Sequence, residues 1–325
     1  DKENPVISEF LKNNNVASRL VARWFNRDMY TGNCNMDLVK ERGLYNATEF
    51  DLQLAKHSAR GMAMLQDAGE ELIGNTFVVV NDIRYIDKNK GAKTAGLFLR
   101  ALGQVAAAAT GNNNFGDLGN SLGDITETLK GFTVKINTFL YRLEWDKDKA
   151  DNFYRNQYGV DNDEEKKENF DKNRGCYSLK YVGKVESKGG TTSFLGIKED
   201  EPVMMVRKAC QRAIDENVAD LQRSYEEFRA KTPLVTVDPL TAYIGKKEGI
   251  TSESRFEVLE VVEMEDGTHK YNKVGEIQPV EGQIWDNRFM AEEEGAAGSN
   301  LKYTTFRTVS GKDFAKGMLI REICK

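Results

Sequence analysis

The chain reads as an α+β protein: a helical N-terminus packed with a mixed sheet, a long amphipathic helix, then a small C-terminal β-barrel. Three observations lead there. Two strand-like runs, NTFVVVNDIRYID (75–87) and GFTVKINTFLYRLEW (131–145), are dense in β-branched and aromatic residues. One stripe, Val203, Val206, Cys210, Ile214, Val218, Leu221, Tyr225 and Phe228, steps by three or four residues. Beyond Pro233, short alternating runs follow one another between glycines, as in a small barrel. A chain of 325 residues can bury two cores. The expected division is an α/β domain at 1–232, with an Ala/Gly-rich insert at 94–129, and a barrel domain at 233–325.

In chain order, Pro5 opens a first helix with Val6, Ile7, Phe10 and Leu11 as its apolar stripe. The three asparagines 13–15 form a turn, and a second helix spans about 16–25. A Gly/Asn-rich loop, RDMYTGNCNM, precedes a short helix capped by Asp37. Asn46 with Glu49 then opens another helix at capping-box spacing. In the second strand-like run, Phe132, Val134 and Ile136 share one parity, and Phe139, Tyr141 and Leu143 the other. A bulge near Asn137-Thr138 would reconcile them. The charged stretch 146–175 reads as a surface helix with an acidic loop, followed by a third strand at 176–187. The long helix starts at Pro202, an expected first-turn proline, and is expected to end near Lys231, about 40–45 Å away at 1.5 Å per residue. MAEEEGAAGSN (290–300) reads as an exposed, mobile loop.

Composition narrows the function. A net charge of −5 and no long Lys/Arg run argue against nucleic acid as partner. No apolar run reaches the roughly 18 residues of a membrane span. The four cysteines, Cys34, Cys176, Cys210 and Cys324, form no CxxC pair, so no zinc site is expected and free thiols are favoured over two disulfides. The histidines are His57 and His269, with no nucleophile-elbow motif near either. Asp146, Asp148 and Asp151, or Asp161 and Asp163, lack the Gly and Glu spacing of a calcium loop. The glycines at 111, 116, 119 and 123 lack a phosphate-loop ending. The expectation is therefore no catalytic, cofactor or metal site. The acidic pairs Glu70-Glu71 and Asp163-Glu164-Glu165, and Glu292-Glu293-Glu294, read as solvated charge. The candidate interaction surface is the apolar half of the insert, where Leu97, Phe98, Ala101, Leu102, Val105 and Ala109 can share one helical face. Its alternative fate is burial on the chain's own sheet.

Two hydrophobic patterns carry a resemblance. Arg255-Phe256-Glu257-Val258, Val274-Gly275-Glu276-Ile277 and the Phe314–Ile320 segment around Gly317 resemble the barrel that ends the flagellar assembly protein T family. Residues 16–25, 47–73 and 76–80 resemble the periplasmic α/β domain of curli-secretion-type lipoproteins. The resemblance brings no catalytic residue. It implies an exported assembly or scaffold protein of the cell envelope, periplasmic or outer-membrane-associated. A first residue of Asp rather than Met fits that expectation of a processed chain. Expected partners are a protein or a second copy, with peripheral membrane association as a weaker option. No small-molecule ligand is identifiable. The alternative is a carboxylate-dependent hydrolase of glycans or peptides, which needs a concave pocket holding two acids with perturbed pKa values.

Overall fold

In the computed structural model, residues 2–46, 69–87, 132–190, 202–263 and 269–324 are described. They form an α+β protein with a closed C-terminal barrel, as the patterning predicts. Two compact units divide them. The first holds 2–46, 69–80 and 139–183, with 263 and 269–270; the second holds 81–87, 132–138, 184–190, 202–262 and 271–324.

The first unit begins with α1 (Pro5–Asn13), whose N-cap Asn4 accepts a hydrogen bond from the Val6 N–H at 3.0 Å. Asn15, in the left-handed conformation at φ 51°, turns the chain directly into α2 (Val16–Trp24). Helix α3 (Asp37–Asn46) follows a loop, and 69–73 forms a further helical turn. Ala17, Val21 and Phe25 meet Val39, Ile73, Leu143, Phe153, Phe170 and Tyr177 in one core. Phe153 and Phe170 come from α4 (Lys147–Asn156) and α5 (Glu164–Lys172), where the sequence suggests only a charged surface. Both helices are charged outside, but each drives an aromatic ring inward. Phe25 packs 4.3 Å from Phe153 and edge-on to Tyr154 and Tyr158.

The three-stranded sheet runs β1-β2-β3, with β1 at Phe77–Asp87, β2 at Phe132–Leu143 and β3 at Leu179–Gly190. Strand β2 is continuous over these residues, and both of its faces are buried. Val134, Ile136 and Thr138 are buried on one face; Phe139, Tyr141 and Leu143 are buried on the other.

In the second unit, α6 (Pro202–Ser224) ends earlier than its stripe predicts, about 35 Å from its start at 1.5 Å per residue. Tyr225 leaves the helix in an extended conformation, and its hydroxyl accepts from the Lys184 N–H at 3.1 Å. A 3₁₀ turn at Glu226–Phe228 then leads to the barrel. The barrel strands are β4 (Thr232–Val237), β5 (Leu240–Ala242), β6 (Phe256–Glu263), β7 (His269–Pro279), β8 (Thr304–Gly311) and β9 (Leu319–Glu322). They close in the order β4-β5-β8-β7-β6-β9 around Leu234, Ala242, Val258, Ile277, Ile320 and the edge-to-face pair Phe256–Phe306. The Glu265-Asp266-Gly267 run, which reads in the sequence as a hairpin turn, lies outside the described residues. The 290–300 segment is not a free loop: Ala291 and Ser299 are buried, and its turns are closed by backbone hydrogen bonds.

Candidate interaction surfaces

Leu97, Phe98, Ala101, Leu102, Val105 and Ala109 lie outside the described residues, as do His57 and the 111–123 glycines. Besides exposed Val6 and Phe10 on α1, the described surface carries apolar side chains on a loop and at strand ends. The first is the loop after α2. The Asp28 carboxylate accepts from the Tyr30 N–H at 2.8 Å, the Thr31 N–H at 2.6 Å and the Thr31 hydroxyl at 3.0 Å. Those bonds hold its pKa below the usual carboxylate range. Gly32 takes φ 71°, a conformation that penalises a side chain. Arg27 anchors the loop base on Asp171 at 2.8 Å and stacks over Phe170. Cys34 N–H donates to the Gly159 carbonyl at 2.8 Å, and Asn33 donates to Asp161, which ties in a second loop. The two loops present Met29, Tyr30 and Val160, at 81%, 90% and 45% exposure. The signal was present in the sequence: an Asp followed by Thr and Gly at turn spacing, with Met and Tyr between them.

The second feature is on the barrel. Ala242 pairs with Thr304, and both are fully buried. Tyr243 follows Ala242 and Tyr303 precedes Thr304, just beyond the paired ends of β5 and β8. They are 61% and 41% exposed.

Beside α6 lies a cavity of about 290 Å³ lined by Arg212, Asp215, Arg223, Lys246, Lys247 and Arg288, among others. Every cation there has a carboxylate partner. Arg212 binds Glu294 at 2.6 Å and the Phe289 carbonyl; the buried Lys208 pairs with the same Glu294. Arg223 binds Glu322 at 3.0 Å, and Lys247 lies 3.7 Å from Asp215. Lys246 and Arg288 hold the fully buried Asp286 at 3.3 and 2.7 Å. Burial alone would raise the Asp286 pKa, but the hydrogen bonds and charges of Arg288 and Lys246 outweigh it and bring it to about 2. Burial pushes Lys208 down to about 8. It pushes Asp215 up to about 6, with Lys247 opposing and Glu248 adding. Asp215 and Glu216 line this cavity among five cations.

The other sequence-singled groups have structural partners. Asp146 caps α4 through the Lys149 N–H, Asp161 receives Asn33, and Asp163 pairs with Lys166. No group of three or more potential metal ligands exists among the described residues. All four cysteines are free, with Cys34 and Cys210 buried. Glu294, read from sequence as solvated, is the acceptor at the centre of a two-cation contact. No protein-family model and no curated protein matches the chain.

Proposed function

We propose that this chain is an exported, non-catalytic binding and assembly protein of the cell envelope. It engages a partner protein through apolar side chains carried on rigid loops. The observation that carries the reading is the pair Met29 and Tyr30, held almost fully in water on a loop that Asp28 and Arg27 pin in one conformation. Large apolar and aromatic side chains are the usual anchors of interfaces, and a loop whose backbone is already held loses little entropy when a partner covers it. The Tyr243–Tyr303 pair and the 94–129 insert are further surfaces of the same function. The envelope setting rests on the resemblance of the hydrophobic patterns to those of exported assembly families.

The test is photo-cross-linking from position 30 carrying p-benzoylphenylalanine, in a native envelope fraction, with unlabelled chain as competitor. A single adduct is expected, and wild-type chain should compete it away. A Met29→Ser/Tyr30→Ser double variant should compete at least about thirtyfold more weakly, the size of one hot spot of about 2 kcal/mol. Equal competition by the double variant, or no adduct, removes the reading.

A further inference from the structure

Among the described methionines, Met29 stands apart. It is 81% exposed, whereas Met36, Met290 and Met318 are half-buried. Met36 packs on the first core, and its sulfur accepts from the Tyr154 hydroxyl at 4.0 Å. Met318 packs on the barrel core, and its sulfur accepts from the Ala315 N–H at 3.3 Å. Oxidation of a thioether requires a peroxide to reach the sulfur lone pair, so it follows exposure. Met29 is open to that attack where the other methionines are screened.

The consequence of oxidation also differs by position. A sulfoxide at Met36 or Met318 would set a polar oxygen against an apolar core, at a cost in stability. At Met29 the oxygen meets water. The loop holds without this side chain, because Asp28 fixes it through the Tyr30 and Thr31 N–H groups, Gly32 through its turn at φ 71°, and Arg27 through Asp171. The free protein is therefore indifferent to oxidation at Met29, and the complex is not. Docking would strip water from the sulfoxide oxygen and press it against a surface fitted to an apolar group. A modification that is silent in the free chain and costly only in the complex has the character of a switch.

We propose that Met29 is an oxidation site that controls docking: hydrogen peroxide converts it to methionine sulfoxide, and the partner protein is released. The proposal rests on the docking function of the Met29–Tyr30 loop. In the step, the sulfur lone pair attacks one peroxide oxygen. The O–O bond breaks as the S–O bond forms, and the departing hydroxide takes the proton of the transferred oxygen and leaves as water. Sulfur is oxidised by two electrons and the peroxide is reduced by the same two. A methionine sulfoxide reductase reverses the step, oxidising two thiols to a disulfide while the oxygen leaves as water.

The test treats the full chain with hydrogen peroxide, removes the oxidant, and follows the product by peptide mass spectrometry, thermal unfolding and competition in the position-30 cross-linking assay. Met29 should oxidise at least about fivefold faster than Met36, Met290 or Met318, in line with its exposure. The melting temperature should stay unchanged while Met29 is converted and those three are intact. That material should compete about tenfold more weakly than untreated chain, and sulfoxide reductase should restore it. Met29→Leu keeps an apolar side chain and removes the sulfur, so it should compete equally before and after peroxide; this separates Met29 from the exposed thiol of Cys176. Oxidation of Met29 no faster than of the half-buried methionines, a melting temperature that falls with its conversion, undiminished competition by the oxidised chain, or peroxide-sensitive competition by Met29→Leu each overturns the switch and leaves the docking reading standing. Absence of an adduct that untreated chain competes away removes the docking reading, and the switch with it.

Discussion

Asp215 and Asp286 belong to one charged network, yet their environments move them in opposite directions. Asp286 is held ionised by two cations, so its contribution to stability is present above the ordinary carboxylate range and is lost as pH falls toward about 2. Asp215 is raised to about 6 by burial, with one cation 3.7 Å away to oppose it. Its folded form prefers the proton. The protein is therefore favoured below the ordinary carboxylate range, and that advantage disappears as pH rises through about 6. Asp215→Asn should raise stability at pH 7.5 by about 1–2 kcal/mol, change it little at pH 4, and flatten the curve between. Thermal unfolding across that range measures it. Destabilisation at pH 7.5 would mean that the ionised pair with Lys247 is the working form. Nothing local marks Asp215 among the 51 acidic residues. Its burial and Lys247 come from barrel residues distant in the chain, which helical periodicity does not register. Met29 and Tyr30 are the opposite case, because their turn chemistry is local. What the sequence lacks there is the exposure, which depends on Arg27 reaching Asp171.

At the scale of the element, the strands and the barrel were legible because period-two patterns and glycine punctuation are local signals. The helices α4 and α5 were less so. Their apolar content is a few aromatic positions in a highly charged stretch, and each position matters only through the core it enters. Strand β2 shows the same limit. Its parity switch was visible, but which face is covered depends on packing partners. On its first half the key contact is polar: Asn217 of α6 donates to the Ile136 carbonyl at 3.1 Å and to the Thr138 hydroxyl at 2.7 Å, and Thr138 donates to Asn81 at 2.7 Å. Asn217 and Thr138 are fully buried. Asn217 stands one residue from Val218 in the α6 stripe, where sequence reading expects an apolar side chain. Asn217→Ala should cost about 2–3 kcal/mol, since it leaves two buried acceptors unmet and a cavity. Asn217→Asp should cost more, because a carboxylate cannot donate to either acceptor and would be buried with its charge. Denaturant unfolding of both variants checks the order. If Asp is tolerated better than Ala, the relay is not what holds α6 to β2.

At the scale of the molecule, the question is what the barrel needs in order to stand. Pattern alone sets a boundary at 232/233, where helical periodicity gives way to alternation. The second compact unit includes α6 together with the barrel. The contacts between them are charged and local to the helix face: Arg212 with Glu294 and the Phe289 carbonyl, Lys208 with Glu294, and Arg223 with Glu322 and the Glu248 carbonyl. Removing α6 would leave Glu294 without its two cations. It would also open Gly249, whose φ of 74° places it against the Arg223 guanidinium. A chain starting at 233 thus keeps the closed ladder but loses the groups that neutralise one side of it. Two fragments decide how far this matters, 202–325 and 233–325. The longer should unfold in one cooperative transition. The shorter should melt at a lower temperature, and the difference should shrink at high salt, because these ion pairs are only partly buried and are screened. Equal melting temperatures at low salt would show that the barrel is self-sufficient and that the boundary legible in the sequence is also the energetic one.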